Sequence, residues 1–401
     1  MKYLNNNPPA ASFLLPQRTQ RTQRSQRRNA LCVLRALCGR KPDERFDHKC
    51  WVFLVAVMFS LSVSGQEEHF SDYTNAPLVL NSAYTGFIPG EHNLRVSTIL
   101  RDQWSSSLEG NAFRTVAAAV DGRICGTEPG DYFGLGARIL ADWQGEPTIK
   151  TTAAYLSGAY TKSLGGRGNK PTMLLGLGAE IGVIGYSLEL ADLTFDDQFD
   201  DPNIPDEVFS RSAPLVLDYG VGGHFYYDDK NSSLRQWRVA VAVKHLSEPE
   251  RGFLQNELTS LTSSDSSSVL KQRYNVQGGT TLMLRGRKSL TFQGVYSWQR
   301  PHNELRVQVE FNFIKRGQLD PDNKFFTVGA GYRLNDGVNG LSSESVVLLT
   351  RFYHENFVAS LTADVNVSKY SSITRGLGGL ELGVSYFFGT GGGGCFYCPR
   401  I

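Results

Sequence analysis

The sequence lacks any apolar run long enough to cross a bilayer as a helix, which takes roughly 20 residues. This excludes a membrane protein of the helical type. The longest uncharged apolar stretch, Trp51–Val63, instead matches the hydrophobic core of a secretory signal peptide, which is about 7–15 residues long. Its end overlaps the small-residue run SVSG (62–65). We therefore predict cleavage after Gly65, which leaves Gln66 as the first residue of an exported chain.

The chain also lacks a basic surface once its first 50 residues are set aside. Those residues hold 11 Lys and Arg against three Asp and Glu, and their tract QRTQRTQRSQRR has too little apolar content to fold. Two interpretations of this leader stay open: an extension before the true start site, or a long basic lead to the signal peptide. A basic RNA-binding arm is disfavoured because a signal core follows directly. The remainder carries 30 basic and 36 acidic residues, so we expect no nucleic-acid partner.

Cysteine is scarce in the part that would be exported. Of six cysteines, only Cys125, Cys395 and Cys398 follow the predicted cleavage site. A structural zinc site usually needs four Cys or His ligands, and no His or further Cys lies beside the pair in CFYC (395–398). We predict a local disulfide between Cys395 and Cys398 or two free thiols, and no bound metal.

The exported part is rich in alternation with a period of two, the pattern of β-strands. In NELRVQVEFNFI (303–314), Val307 and Val309 share one face, while Arg306 and Gln308 share the other. The stretches YFGLGARILADW (132–143) and ELGVSYFF (381–388) alternate in the same way. An outer-membrane barrel with lipid outside and water inside gives this pattern, and so does a soluble sandwich with one dry face per sheet.

Strand number, strand length and loop length favour the barrel. We predict fourteen strands near 93–104, 112–121, 131–142, 151–161, 171–185, 214–226, 237–245, 272–285, 288–297, 304–315, 324–334, 344–354, 357–366 and 379–388. A strand that crosses a bilayer needs roughly 9–11 residues, whereas strands of soluble proteins average about 5–6. Tight connections such as 285–289 and 353–357 occur beside long polar ones at 186–213 and 246–271. The predicted fold is an all-β, transmembrane antiparallel β-barrel of about 14 strands.

Domain boundaries and aromatic positions follow from this fold. We expect a leader and signal peptide at 1–65, a periplasmic or lumenal N-terminal segment at 66–91, the barrel at 92–388 and a Gly-rich tail at 389–401. Aromatic residues near strand ends would form girdles at the membrane interfaces or pack in a core. They are Trp104, Trp143, Tyr226, Tyr227, Trp237, Trp298, Phe325, Phe326, Phe387 and Phe388.

Three features that suggest chemistry are weak on inspection. The acidic run DDQFDD (196–201) offers oxygen ligands for calcium but has no regular ligand spacing, and a solvated loop explains it equally well. Asp218 and His224 share a strand face, but no serine lies in a nucleophile elbow, so we interpret His224 as a lumenal or interfacial polar residue. The Gly-rich stretches 376–383 and 389–394 lack the Lys and the following helix of a phosphate site. We predict no catalytic or cofactor-binding residue.

Short motifs follow one another in a fixed order along the exported part. They are HFSDYTNAPLVLNSAYTGF (69–87), RDQWSS (101–106), LTFDDQFD (193–200), KHLSEPERGFL (244–254), ADVNVSKYS (363–371), GGLELGVSYFF (378–388) and the final CPRI. The motif residues are Pro77, Asn81, Gly86, Gln103, Trp104, Phe195, Asp196, Gln198, Phe199, Asp200, His245 and Pro249. As an ordered set, these motifs resemble the PorP/SprF family of type IX secretion system membrane proteins. The sequence departs from the family in its long leader, at Asp102 where the family has Asn, at the Tyr84 position, and in GTGGGG before Cys395.

The resemblance implies an outer-membrane barrel of the secretion machinery found in gliding and related Gram-negative bacteria. Such proteins are not known as enzymes, and they help particular substrates such as surface adhesins to be exported or attached. The implied partners are other type IX secretion components, exported surface proteins and outer-membrane lipid. Alternation and strand number support a second function equally well, an outer-membrane channel or transporter for small or hydrophobic solutes.

Overall fold

The computed structural model describes residues 69–90, 92–105, 113–125, 130–145, 149–167, 170–188, 214–229, 231–250, 269–315, 324–337, 340–369 and 371–390. Its strands are β1 (His92–Gln103), β2 (Phe113–Cys125), β3 (Tyr132–Gln144), β4 (Ile149–Arg167), β5 (Lys170–Leu188), β6 (Val216–Asp228), β7 (Leu234–Lys244), β8 (Arg273–Leu284), β9 (Lys288–Gln299), β10 (His302–Ile314), β11 (Lys324–Gly337), β12 (Gly340–His354), β13 (Phe357–Asn366) and β14 (Leu377–Thr390). Two one-turn helices, α1 (Pro77–Leu80) and α2 (Ser371–Thr374), and a 3-10 helix at Ser82–Tyr84 accompany them. In this part of the chain no helix is long and apolar enough to span a membrane.

The strands close into one antiparallel barrel in which every strand pairs with its neighbours in the sequence. The first and last strands complete the closure, and Arg101 of β1 lies opposite Glu381 of β14 in their register. The strands are 10 to 19 residues long, which suffices to cross a bilayer at a tilt. A closed barrel also leaves no strand edge with unpaired backbone groups, as the apolar interior of a membrane demands. The predicted fourteen-stranded transmembrane barrel is confirmed.

The barrel carries its apolar residues outside and its polar residues inside. On β10, Val307 and Val309 of the outer face are 47% and 42% exposed. On the inner face of the same strand, Arg306 and Glu310 are only 5% and 1% exposed. The alternation seen in the sequence therefore separates a lipid-facing surface from the lumen. A soluble sandwich would bury the apolar face and hydrate the polar one, so this distribution decides against it.

The aromatic residues near strand ends divide between the two faces. Trp237, Phe325 and Phe388 are exposed, as a membrane-interface girdle requires. Tyr226 and Phe387 are instead buried. Successive side chains of a strand point to opposite faces, so only one of Phe387 and Phe388 can face lipid. The expected girdle thus forms from part of the set, while the rest packs inside.

The two rims of the barrel differ in the length of their connections. At the rim where β1 begins, the strands are joined through 126–131, 168–169, 229–233, 285–287, 315–323 and 355–356. The opposite rim carries the two longest connections, 189–215 and 245–272, together with tight ones at 300–301 and 338–339. We call these the short-turn rim and the long-loop rim. In outer-membrane barrels, short turns typically face the periplasm and long loops face the outside.

Candidate functional site: the occupied lumen

The lumen is occupied by the chain itself. Residues 69–90, which we call the inner segment, precede β1 and are almost all buried inside the barrel. At the short-turn rim, Ile88 packs against Tyr353, Val358 and Phe387. The other end lies at the long-loop rim, where the His69 imidazole contacts the Glu304 carboxylate near the start of β10. The inner segment therefore crosses the lumen from one rim to the other.

A buried charged cluster holds the end of the inner segment that is near the long-loop rim. The backbone N–H groups of Ser71 and Asp72 donate to the two carboxylate oxygens of Glu381, at 2.6 and 2.8 Å. The Ser71 hydroxyl donates to Asp364 at 2.8 Å. Arg101 bridges the two wall carboxylates, since its Nη2 lies 2.8 Å from Asp364 and its Nη1 donates to Glu381. An unpaired charge at this depth would be costly, so these groups depend on one another.

Asp72 forms a second buried pair with the barrel wall. Its Oδ1 accepts a hydrogen bond of 2.7 Å from Arg351, whose Nη1 lies 3.1 Å from Glu310. Thr74 and Asn75 each donate to an oxygen of Asp72 at 2.7 Å. Burial by itself raises the pKa of Asp72, but the charge and hydrogen bond of Arg351, together with hydrogen bonds from Ser360 and Thr74, hold that pKa below its ordinary value. Asp72 is therefore ionised at neutral pH.

The middle of the inner segment is the short helix α1, and the wall caps its carbonyl end. Pro77 opens the helix, where its missing N–H would have no partner in any case. At the other end, Lys244 Nζ donates to the Val79 carbonyl at 2.5 Å, and the Asn275 side chain donates to the Leu80 carbonyl at 3.1 Å. These donors satisfy carbonyls that a helix leaves unpaired, and the lysine opposes the negative end of the helix dipole.

Asn81 fixes the turn that follows α1 to the wall. Its side-chain nitrogen donates to the carbonyls of Gly223 and Val241 at 3.2 and 3.1 Å. Its side-chain oxygen accepts a hydrogen bond of 2.8 Å from the Ala83 N–H. The approach is so close that a Cβ at Gly222 would lie 2.0 Å from Asn81 Oδ1. The wall therefore needs a glycine at the place where the segment presents this asparagine.

Gly86 lies where the inner segment meets β2 and β3. Its φ of +75° favours glycine, and its N–H donates to Asp121 at 2.8 Å. Asp121 accepts two further hydrogen bonds, of 2.8 and 2.9 Å, from Arg95. On β3, a Cβ at Gly134 would lie 2.0 Å from the carbonyl oxygen of Thr85. Backbone therefore packs directly on backbone here, which only glycine permits.

Aromatic rings pack beside this contact on the β6 side of the lumen. Tyr84 stacks on His224 with ring centroids 5.5 Å apart, and Phe87 meets the same imidazole edge-on at 4.9 Å. Burial raises the pKa of Tyr84 to about 12, so its phenol stays neutral. Leu78 and Leu174 belong to the same apolar cluster. His224 is thus a lumenal residue that faces the inner segment.

His245 and Asp218 form a separate buried cluster near the long-loop rim. His245 Nδ1 lies 2.7 Å from Asp218 Oδ2, which also accepts a hydrogen bond of 2.6 Å from the Tyr155 hydroxyl. The Ser247 hydroxyl donates to Asp218 Oδ1 at 3.0 Å. In a Ser-His-Asp hydrolase the serine faces the imidazole, whereas here it faces the carboxylate. Asp218 therefore pairs with His245 rather than with His224 of its own strand, and the cluster ties the chain after β7 to β4 and β6.

The structure places the remaining motif residues at the long-loop rim or outside the described part of the chain. Gln103 accepts a hydrogen bond of 3.0 Å from Arg101. Trp104 has a φ of +64°, and the Pro249 carbonyl accepts a hydrogen bond of 2.9 Å from Leu270. The residues of interest outside the described part are Phe195, Asp196, Gln198, Phe199, Asp200, Cys395 and Cys398. The signal peptide and the acidic run 196–201 also lie outside it.

Sequence reasoning missed the charged residues of the lumen wall. The buried ones include Arg95, Arg101, Asp121, Arg138, Glu180, Arg306, Glu310, Arg333, Arg351, Asp364 and Glu381. The usable signal was that opposite charges occupy the polar faces of strands predicted to be neighbours. Such charges suggest paired, protein-filled surroundings, because a water-filled pore would not need a partner for each of them.

A closed antiparallel barrel with an apolar outer face and a lumen filled by its own N-terminal segment defines a plugged outer-membrane β-barrel protein. Compared with family models, residues 62–386 match the one described as "Type IX secretion system membrane protein PorP/SprF". The chain belongs to this family of type IX secretion system membrane proteins, as its motifs indicated, and it is an outer-membrane protein.

Solved structures similar to this chain are also barrels. One is a deltaS2S3 mutant of TodX, a monoaromatic hydrocarbon channel, with 10% identity, a TM-score of 0.43, and coverage of 78% of this chain and 94% of that chain. Another is BamA from Haemophilus ducreyi lacking POTRA domains 1–3, with 8% identity, a TM-score of 0.36, and coverage of 89% and 82%. At such low similarity, neither protein's activity is transferred to this chain. No curated protein matched the sequence.

Proposed function

We propose that this protein is a non-enzymatic component of the type IX secretion system that assists the export or surface attachment of specific protein substrates. The observation that carries the proposal is the occupied lumen, in which the inner segment is bonded to the wall at each level. A barrel filled in this way favours protein contact at its rims over passage of solutes through its centre. Family membership supports secretion as the process it serves.

The bonding pattern makes the inner segment costly to displace. Its removal would leave Glu381 and Asp364 without the Ser71 donors, and Asp121 without the Gly86 N–H. Buried groups that lose their partners are strongly destabilising. We therefore propose that protein partners bind at the rims of the barrel. These partners are other secretion components and exported surface proteins, and outer-membrane lipid surrounds the barrel.

A disulfide lock separates this proposal from a solute channel whose plug must move. Thr85 Oγ1 and Ser157 Oγ lie 2.8 Å apart, so Thr85→Cys and Ser157→Cys substitution would place two sulfur atoms next to each other, where we expect a disulfide to form. We expect the locked protein to support secretion as well as the wild type. A channel would lose solute uptake on locking and regain it on reduction. The single variant Ser157→Cys serves as the control.

Deletion of the gene region for residues 66–401 in the native host tests the secretion role itself. Surface and secreted proteins of the two strains would be compared by mass spectrometry. Loss of one or a few large surface proteins from an otherwise intact outer membrane is the expected result. An unchanged surface proteome with altered uptake of small solutes would overturn the proposal in favour of a channel.

A further inference from the structure

A cavity of about 260 Å³, lined mostly by polar residues, lies at the long-loop rim beside the charged cluster that holds Ser71. The ends of β1, β11 and β13 and the starts of β12 and β14 line it. Arg101 and Asp364 belong to both the cavity lining and the cluster, so the cavity borders the anchor of the inner segment.

Carboxylates outnumber guanidinium groups around this cavity. Asp336, Glu344 and Asp364 line it, against Arg101 alone. Arg333 also contributes, since its Nη1 and Nη2 lie 3.5 Å from Glu344 and 3.3 Å from Asp364. Asp364 is thereby paired twice, while Glu344 has one long contact. The surplus negative charge favours a cation over an anion.

Several polar atoms of the lining residues have no hydrogen-bond partner among the described residues. They include Glu344 Oε2 and Ser345 Oγ, and the Ser345 residue is only 3% exposed. The indole N–H of Trp104 is a third. Buried polar groups are normally paired, and each unpaired one is costly. A ligand that donates hydrogen bonds would satisfy the two oxygens.

We propose that this cavity binds a basic side chain, a lysine ammonium or an arginine guanidinium, presented by a protein partner. Such a group would donate to Glu344 and Ser345, and the aromatic ring of Trp104 supplies a surface that attracts cations. A metal ion fits less well, because no three His, Cys, Asp or Glu side chains among the described residues form a metal-binding group. The inference rests on the proposed function, in which protein partners are recognised at a rim.

Calorimetry with short peptides tests the site directly. The probes are capped pentapeptides with alanine flanks and Lys, Arg or Gln at the centre, titrated into the folded protein in detergent. We expect the Lys and Arg peptides to bind roughly tenfold more tightly than the neutral Gln peptide, and to weaken as salt is raised. Equal binding of all three peptides, or no binding of any, would overturn the proposal.

Substitutions then assign the binding to the cavity. Glu344→Gln keeps the shape but removes the charge, and we expect roughly tenfold weaker binding of the Lys peptide. Glu355→Gln, an exposed glutamate in a turn of the short-turn rim, is the matched control and should bind as the wild type does. Unchanged binding by Glu344→Gln would place the peptide elsewhere and sink the assignment. Because no secretion machinery is present in this assay, its failure leaves the proposed function to be judged by the surface proteome.

Discussion

At the scale of the residue, the lumen shows how a barrel can bury many charges. Arg351 lies between Asp72 of the inner segment and Glu310 of the wall, so each charge has an opposite neighbour. A buried ion pair adds little to the free energy of unfolding compared with apolar residues of the same shape in its place. Removal of one partner, however, lowers that free energy strongly, because it leaves a buried charge without a partner. The main effect of the charged residues is therefore to specify one docked position for the inner segment. Their net contribution to the stability of the protein is small.

Asp72→Asn tests this reasoning by removing one partner only. We expect the free energy of unfolding to fall by about 3 kcal/mol or more, because Arg351 and the remaining wall charges lose a buried partner. Urea unfolding of the protein in detergent measures the change. Arg114→Gln is the matched control, since the Arg114–Asp102 pair is 63% and 39% exposed, and its loss should cost no more than about 1 kcal/mol.

The pKa of Asp72 gives a prediction for pH. Because that pKa is depressed in the folded protein, the pair with Arg351 is fully present above the ordinary value of 3.8 and is lost only as pH falls through the lower, folded value. We expect the inner segment to stay docked from about pH 8 to about pH 5. The labelling rate of a buried Thr85→Cys variant reports docking. If the labelling rate already rises near neutral pH, a titratable group other than Asp72 controls the docking of the inner segment.

Two glycines of the wall make a matched pair for a packing test. A Cβ at Gly134 would lie 2.0 Å from the Thr85 carbonyl oxygen, whereas a Cβ at Gly278 meets nothing within 4 Å. We expect Gly134→Ala to destabilise the protein by about 1–3 kcal/mol and Gly278→Ala to have an effect of less than about 1 kcal/mol. Urea unfolding compares the two, and equal effects would show that backbone contact with the segment is unimportant.

The sequence predicted the role of few of these residues. Pro77, Asn81 and Gly86 were identified from motifs, but their contacts were not foreseen. Asn81 bonds to Gly223 and Val241, which are more than a hundred residues away, and no local pattern encodes such a partner. The contacts of the wall glycines with the inner segment were equally unpredictable, because the sequence does not distinguish a strand glycine that faces lipid from one that packs against another backbone.

At the scale of the element, the fourteen strands were predictable because each one carries its own signal. A strand between lipid and lumen must alternate over its whole length, so the pattern is written locally. The inner segment carries no such signal. Its docking depends on groups distributed over β1, β7, β13 and β14, so the sequence left a periplasmic and a lumenal position open.

Removal of the inner segment should open the barrel. We expect a variant lacking residues 70–88 to conduct ions steadily in a planar bilayer, because the lumen would then hold only water between polar side chains. The intact protein should show no steady conductance. A heat-modifiable gel shift verifies that the variant forms a barrel. The double variant Asp72→Asn with Gly134→Ala, which loosens the segment without deleting it, should give intermittent conductance. Absence of conductance from both the deletion variant and the double variant would contradict the interpretation of the inner segment as a plug.

At the scale of the whole molecule, the inner segment gives the barrel a polarity. His69 is at the long-loop rim and is 24% exposed, while Glu355 is in a turn of the short-turn rim. We expect long loops to face the outside, so a cysteine at position 69 should be labelled on intact cells by a membrane-impermeant maleimide. A cysteine at position 355 should react only after the outer membrane is opened. The reverse labelling pattern would mean that the long loops face the periplasm, and that the cavity proposed to bind a basic side chain opens there as well.

The seam between β1 and β14 has a consequence for assembly. Arg101 and Glu381 face each other across this seam, and the same Glu381 receives the N–H groups of Ser71 and Asp72. The pairing of the last strand with the first is therefore coupled to the position of the inner segment between them. A barrel that closed without the inner segment would leave the Glu381 carboxylate without two hydrogen-bond donors, the N–H groups of Ser71 and Asp72. We therefore expect the pairing of β1 with β14 to be most stable when the inner segment lies in the lumen.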